Sequence, residues 1–280
     1  MVKKVLANCY LYVILALMYL PIMVVIVFSF SNSTLFRFPN GFTLGAYQSI
    51  FTSPNTPALM SALKNTFLIA IIASVVATLL GTISAIGIFN LKRRVRRVVE
   101  SVNQMPIINS EIVMAVSLMV FFALPFLSFM NGYVKLIIAH ITFCTPYVIL
   151  SVMPRLMQMD PNIYEAALDL GASQTKALFK VIIPMLVPGI ISGFVMAFTL
   201  SIDDFIITQL NKTEGIQTLS TYLYEDARIK SLSPFWFAVF SIMFVVVLFI
   251  LLSINFYNAK KLGNEPKNKV KHTVRNPSGR

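Results

Sequence analysis

Long apolar runs alternate with short polar connections along most of the chain. Six of the runs are long enough to cross a bilayer as helices, which takes about 20 residues each. They cover residues 9–30, 66–89, 107–130, 136–153, 187–210 and 235–257. The pattern predicts an all-α polytopic membrane protein with six transmembrane helices. Asp203 and Asp204 interrupt the fifth run near its end. Residues 31–65 carry Pro39-Asn40-Gly41, Gly45, Pro54 and Pro57, so they read as loop with at most short helices, leading through Leu59, Leu63 and Asn65 into the second span. After Asn258 the chain turns polar and basic, which predicts disorder over 258–280. The expected organisation is a first helix and loop (1–65), a five-helix core (66–257) and a tail (258–280).

Between the fourth and fifth runs lies a short island of charge and small residues, Glu165-Ala166-Ala167-Leu168-Asp169-Leu170-Gly171. Asp160-Pro161 is a suitable helix start, because Asp accepts from exposed amides and Pro is tolerated at the first helical position. Gly171 supplies a turn, and Ser173 is placed to cap a second helix running through Lys176 and Phe179 to Ile183, with Pro184 and Pro188 marking its exit. Glu165 and Asp169 share one helix face, and Ala166 and Ala167 leave room for another surface. On geometry, a docking elbow and a plain amphipathic connector both stand.

Composition supports the membrane reading. Of 280 residues 57% are hydrophobic and 12% charged, with mean hydropathy +0.77, whereas soluble domains carry about a quarter of charged residues. The net charge of +12 does not point to nucleic acid, since the basic residues sit in short loops beside apolar spans. Seventeen of the 23 Lys and Arg fall in the N-terminus, the 92–97 cluster, the 155–180 connection and the tail, which predicts that both termini are cytoplasmic. The Lys92–Arg97 cluster reads as a cytoplasmic anchor, with a lipid head-group patch as the sharper option. The run behind Lys3-Lys4 is too long for a signal-peptide core and is expected to stay as the first span. Trp236, with Tyr222 or Tyr224, is expected in an interfacial aromatic belt.

Cys9 and Cys144 have no ligand spacing to each other or to His140 and His272, so neither a disulfide framework nor a metal site is expected. Gly171-Ala-Ser-Gln-Thr-Lys176 lacks the second Gly of a phosphate loop and follows no strand. Any ATP-driven step would therefore need another polypeptide to bind the nucleotide. A membrane-embedded enzyme lacks support, with no H-E-x-x-H, no nucleophile elbow and only two histidines. An ion-coupled transporter would more often show paired repeats with broken helices, and no repeat is visible here.

Glu-Ala-Ala-x3-Gly over 165–171, then nine residues, then Val181-x-Ile183-Pro184, resembles the EAA loop of the inner-membrane subunits of binding-protein-dependent ABC importers, with Val and Ile where Ile and Leu are usual. His140-Ile-Thr-Phe-Cys-Thr-Pro-Tyr147, Leu168-Asp-Leu-Gly-Ala-Ser173, Ser201-Ile-Asp-Asp204, Tyr19-Leu-Pro-Ile22 and Ser29-Phe-Ser-Asn32 extend the resemblance, through all six spans, to the permeases of spermidine/putrescine importers. The resemblance implies a type I importer permease with no cofactor of its own. ATP and Mg would be bound by a partner ATPase dimer. A second related permease, an extracytoplasmic polyamine-binding protein and membrane lipid would complete its partners. Glu165, Ala166, Ala167, Asp169, Gly171, Ala172 and Pro184 would couple to the ATPase. An importer of the same build for another solute, such as an amino acid, organic cation or metal chelate, stays open.

A polyamine path needs carboxylates and aromatic faces. Asp203 and Asp204 are candidates, roughly 24 Å along the fifth helix from Val187 and pointing about 100° apart. Glu111, early in the third span, and the i, i+4 pair Phe143 and Tyr147 are the others. Each has a plainer alternative: a polar helix end paired with Lys212 for the aspartates, an interfacial acid beside Arg93 for Glu111, and core packing for the aromatic pair.

Overall fold

A computed structural model of the chain describes residues 2–31, 33, 38, 41–127, 129–160, 162–230 and 233–263. Among these the regular structure is helical, as the apolar periodicity predicts. In chain order the helices are α1 (Val2–Phe28), α2 (Gly45–Thr52), α3 (Thr56–Phe89), α4 (Arg93–Ile108), α5 (Glu111–Phe122), α6 (Gly132–Gln158) and α7 (Asn162–Asp169). They continue with α8 (Gln174–Ala177), a π-helical turn (Leu178–Ile182), α9 (Ile183–Asp203), α10 (Ile206–Asn211), α11 (Leu219–Lys230) and α12 (Pro234–Gly263).

Four helical stretches among the described residues are long and apolar enough to cross a membrane: Cys9–Phe28, Thr56–Phe89, Gly132–Gln158 and Gln174–Asp203. A fifth arises if α4 and α5 count as one broken span, and the apolar start of α12 covers Pro234–Val246. The expected third span is not one straight helix. Pro106 withdraws a hydrogen-bond donor in the last turn of α4, Asn109 and Ser110 are extended, and α5 leaves at 100° to α4. The expected basic loop at 92–97 instead begins α4. The second span starts at Thr56, within the expected loop, and the fifth stops at Asp203. Helix α12 runs to Gly263, into the expected tail, of which 264–280 lie outside the described residues, as does Pro161 of the expected helix start.

The chain forms two compact units, one of residues 57–228 and one joining residues 1–56 to 229–280. In the smaller unit, Tyr47 Oη on α2 lies 2.7 Å from Ser29 Oγ beyond α1 and 3.1 Å from Ser241 Oγ on α12. Trp236 is fully buried, its ring 5.4 Å from Phe235 and 6.2 Å from Phe240. It therefore does not belong to an exposed belt, since an indole with its faces covered by rings gains more from burial than from an interface.

In the larger unit the small residues face inward. On α3, Ala70, Ala73, Ala77, Gly81 and Ala85 recur at spacings of three and four and are buried, while Phe67, Ile71, Val75, Leu79 and Ile83 are exposed. Thr66 and Thr78 on this face bond to their own helix, Thr66 Oγ1 donating to Ala62 O at 2.8 Å and Thr78 Oγ1 to Ser74 O at 2.6 Å. Such faces let helix backbones approach closely where lipid provides no hydrophobic drive between them. One such close approach centres on Val148 of α6. A Cβ built on Gly81 would stand 2.7 Å from its side chain, and one on Gly193 of α9 would stand 3.1 Å from it. Gly189 meets α6 in the same way, with Ser151 O at 3.2 Å.

This packing makes a stability prediction. Gly81→Val should lower the thermal unfolding midpoint of the detergent-purified chain, at a cost of about 1–3 kcal/mol from overpacking. Gly87→Ala, on the same helix where an added Cβ meets nothing within 4 Å, should leave it unchanged or higher, and equal behaviour of the two variants would contradict the close approach.

Candidate functional site

The polar island folds as an elbow. Asp160 Oδ1 accepts from Asn162 N at 2.9 Å and opens α7. At its other end Ala172 N donates to Ala167 O at 3.1 Å and Gly171 N to Leu168 O at 2.9 Å. These are the paired bonds of a Schellman ending. Gly171 sits at φ 84°, a left-handed conformation that costs glycine least. Ser173 then caps α8, accepting from Lys176 N at 3.4 Å. Pro184 does not mark an exit. It begins α9 in a helical path unbroken from Gln174 to Asp203, with a wide turn at Leu178–Ile182 in which Ile183 N bonds Leu178 O. The proline ring crowds the preceding turn, and the π-type turn relieves it.

Glu165, Ala166, Asp169 and Gly171 are exposed on the elbow, whereas Ala167 and Ala172 are half-buried. Pro184 is exposed at the second position of α9. Sequence reasoning passed over Leu170, which is 90% exposed at the tip. The signal was present, as a large apolar side chain beside a turn glycine in a polar segment. Behind the elbow, a cavity of about 610 Å³ opens against the ends of α3 and α6, with Phe89, Asn90, Asp160, Tyr164, Glu165 and Leu178 in its wall.

The two aspartates at the end of α9 separate. Asp203 is exposed, and Asp204 is buried. The Asp204 carboxylate accepts from Ile207 N at 3.1 Å, Thr208 N at 2.9 Å and Thr208 Oγ1 at 2.7 Å, so it caps α10 after the chain has turned at its own extended backbone. His140 of α6 completes the cluster: Nδ1 is 2.7 Å from Ser201 Oγ, and Nε2 is 3.1 Å from Thr208 Oγ1 and 3.6 Å from Asp204 Oδ2. Thr208 has a single hydroxyl proton. Given to Asp204, it leaves Oγ1 to accept from Nε2–H. Sequence reading did not find His140 as a partner, because it lies more than 60 residues away on another helix.

Lys212 does not pair with either aspartate. It donates to Glu225, which also accepts from Gln217 Nε2, and the Lys212 hydrogen bond holds the Glu225 carboxyl below its ordinary range. Phe143 is buried in the core and meets half-buried Tyr147 edge-on at 5.6 Å. Glu111 is exposed at the first turn of α5, beside the bend, and makes no ion pair with Arg93 or any other described residue. The five expected pathway residues therefore differ in setting, and the polar cluster is built by Asp204 with His140, Ser201 and Thr208.

The family model described as "Binding-protein-dependent transport system inner membrane component" matches residues 77–262. The chain belongs to that family, and it is a multi-pass permease subunit of an ABC importer, a transport subunit and not an enzyme. It is 31% identical over 253 residues to the spermidine/putrescine transport system permease protein PotC of Escherichia coli (strain K12), covering 90% of this chain and 94% of that one. It is 31% identical over 217 residues to the putrescine transport system permease protein PotI of the same strain, covering 76% of each. Among solved structures, a bacterial ABC transporter involved in the import of the acidic polysaccharide alginate matches with TM-score 0.69 at 16% identity, over 91% of this chain and 96% of that one. That match carries the fold.

Removing the Asp204 carboxylate strands the amides of α10 in a buried site. Asp204→Ala should destabilise the purified chain by about 2–4 kcal/mol, the sum of a lost cap and buried donors left unpaired. Asp204→Asn keeps one acceptor oxygen and should fall between, and Asp203→Ala should be neutral. Thermal unfolding of the three variants in detergent checks the order, and a neutral Asp204→Ala would refute the assigned role.

Proposed function

We propose that the chain is one of two related permeases of a polyamine importer, with both termini in the cytoplasm and the α7–α8 elbow seated on a cytoplasmic ATPase. The observation that carries this reading is the elbow. A Schellman-capped turn presents Glu165, Ala166, Asp169 and Leu170 outward in a segment whose residues follow the EAA pattern. The distribution of Lys and Arg supports the orientation. The PotC and PotI similarities support a polyamine as substrate.

In this reading a loaded binding protein delivers the polycation on the far side of the membrane. ATP and Mg act in the partner subunits, and this chain carries out no bond chemistry. Closure of the ATPases moves the elbow, and with it α6 and α9, which it joins in sequence and which pack along each other. Two packings of the same helices must each be favoured by a different ligand for access to alternate. Asp203 is the carboxylate at the end of α9 that is free to meet a cation, since Asp204 is occupied in capping. Intramembrane acids ordinarily face water or the bundle interior.

In proteoliposomes containing the assembled transporter, Glu165→Arg should abolish stimulation of ATP hydrolysis by the loaded binding protein while assembly persists. Full stimulation in that variant would remove the elbow from coupling. Asp203→Asn should raise KM for spermidine uptake several-fold and leave kcat nearly intact, as expected when a compensating charge is lost in binding. Wild-type transporter that responds to neither spermidine nor putrescine would overturn the polyamine assignment and leave the elbow reading standing.

A further inference from the structure

The connection between α10 and α11 is fixed to the larger unit without help from its charges. Ile216 is buried against Ile69 and Leu136, Gln217 O accepts from Asn65 Nδ2 at 3.0 Å, and Leu219 N donates to Thr66 Oγ1 at 2.8 Å. Thr213 lies so close over the start of α6 that a Cβ on Gly132 would stand 1.6 Å from its hydroxyl. Lys212, Gln209 and Gln217 nevertheless all turn their side chains to one carboxylate, that of Glu225 on α11. The Lys212–Glu225 ion pair is only half-buried. Pairs of that exposure contribute little to stability, so the fold does not by itself account for a carboxylate served by three donors.

These side chains, with Glu214, wall a cavity of about 320 Å³. Glu214 is exposed and makes no ion pair among the described residues. The lining therefore holds two carboxylates against one ammonium. Gln209 directs its amide N–H to Glu225, and its buried Oε1 has no partner. A spare acceptor beside a carboxylate suits a group with several N–H donors. The Lys212 ammonium is such a group, with three, and it is chemically the same group as the end of a polyamine. The chain itself thus seats a primary ammonium at Glu225. The cavity also lies at the end of α9 where Asp203 is exposed. Only the six residues of α10 and Phe205 separate Asp203-Asp204 from Lys212, and Ser220 Oγ on α11 donates to Asp204 O at 2.8 Å.

We propose that Glu225 is a substrate contact, occupied by Lys212 until a primary ammonium of the substrate takes its place. The arriving ammonium pairs with the Glu225 carboxylate, with Gln209 Oε1 as a second acceptor, and Lys212 turns out toward solvent. One ion pair replaces another of the same kind, so the exchange needs little free energy of its own and rejects solutes that carry no primary ammonium. The exchange presupposes the polyamine reading given above.

The test is equilibrium binding of radiolabelled spermidine to the assembled transporter, purified in detergent without its binding protein. Lys212→Met removes the competing ammonium and should tighten spermidine binding about three- to five-fold. Glu225→Gln should weaken it about ten-fold. The double variant should bind like Glu225→Gln, because Lys212 acts only through that carboxylate. Spermidine acetylated at both ends has no primary ammonium and should gain nothing from Lys212→Met. A purely structural ion pair gives a different result: both single variants lose thermal stability and neither changes affinity. Unchanged or weaker spermidine binding in Lys212→Met overturns the proposal, as does an equal gain for the acetylated compound. If either single variant fails to assemble, the other decides, since unchanged affinity in Glu225→Gln is equally fatal. Wild-type transporter that binds neither spermidine nor putrescine removes the polyamine reading and the exchange together, whereas wild-type binding with unaltered variants removes the exchange alone.

Discussion

Val148 of α6 is held between two glycines, Gly81 of α3 and Gly193 of α9, and this close approach governs the geometry of the larger unit. Three helix backbones meet where no side chain intervenes on two of them. Lipid offers no hydrophobic force to press helices together, so the contact depends on dispersion between closely fitted surfaces. That fit is set at the level of single methyl groups. It also fixes two ends at once: the α6–α9 pair carries the elbow at one end, and at the other His140 and Ser201 meet across the same pair at 2.7 Å. A displacement at the elbow is therefore passed to a packed pair whose far end is pinned by a polar cluster. The proposed coupling of a partner's ATP cycle to the aspartate end of α9 needs no other connection.

The polar cluster shows how a membrane helix ends without leaving its backbone unsatisfied. Where α9 stops, the first amides of α10 need acceptors in a site closed to water. Asp204 supplies them with both oxygens, and Thr208 and His140 pass the remaining hydrogen-bond demand on to Ser201. A buried carboxylate is tolerable because so many donors converge on it.

Much of the fold was legible in the sequence because the apolar runs are long and the island between residues 153 and 187 breaks them sharply. The helical class, the elbow, its Ser173 cap and its Gly171 turn all follow from local chemistry that a single segment carries. The misses are of a different kind. The bend between α4 and α5 arises where two residues with extended backbone follow a helix containing Pro106, inside a run whose hydropathy gives no warning. The burial of Trp236 and the partnership of His140 with Asp204 are set by packing between residues distant in sequence, which composition and periodicity do not encode. Pro184 misled for a physical reason: a proline at the start of a helix and a proline after its end look alike until the wide turn before it is seen.

The pair Asp203-Asp204 condenses these effects. Neighbouring residues of one helix differ by about 100° in direction, which alone ensures that two carboxylates do not share an environment. Here the helix also ends between them. Asp203 keeps helical geometry and points out of the packed unit, and Asp204 turns extended and is drawn inward by three donors on α10. Identical side chains thus acquire opposite uses, one structural and one left available to a cation. The division follows from where α9 stops, and α9 stops there because Asp204 serves the amides of α10 better than it serves another helical turn.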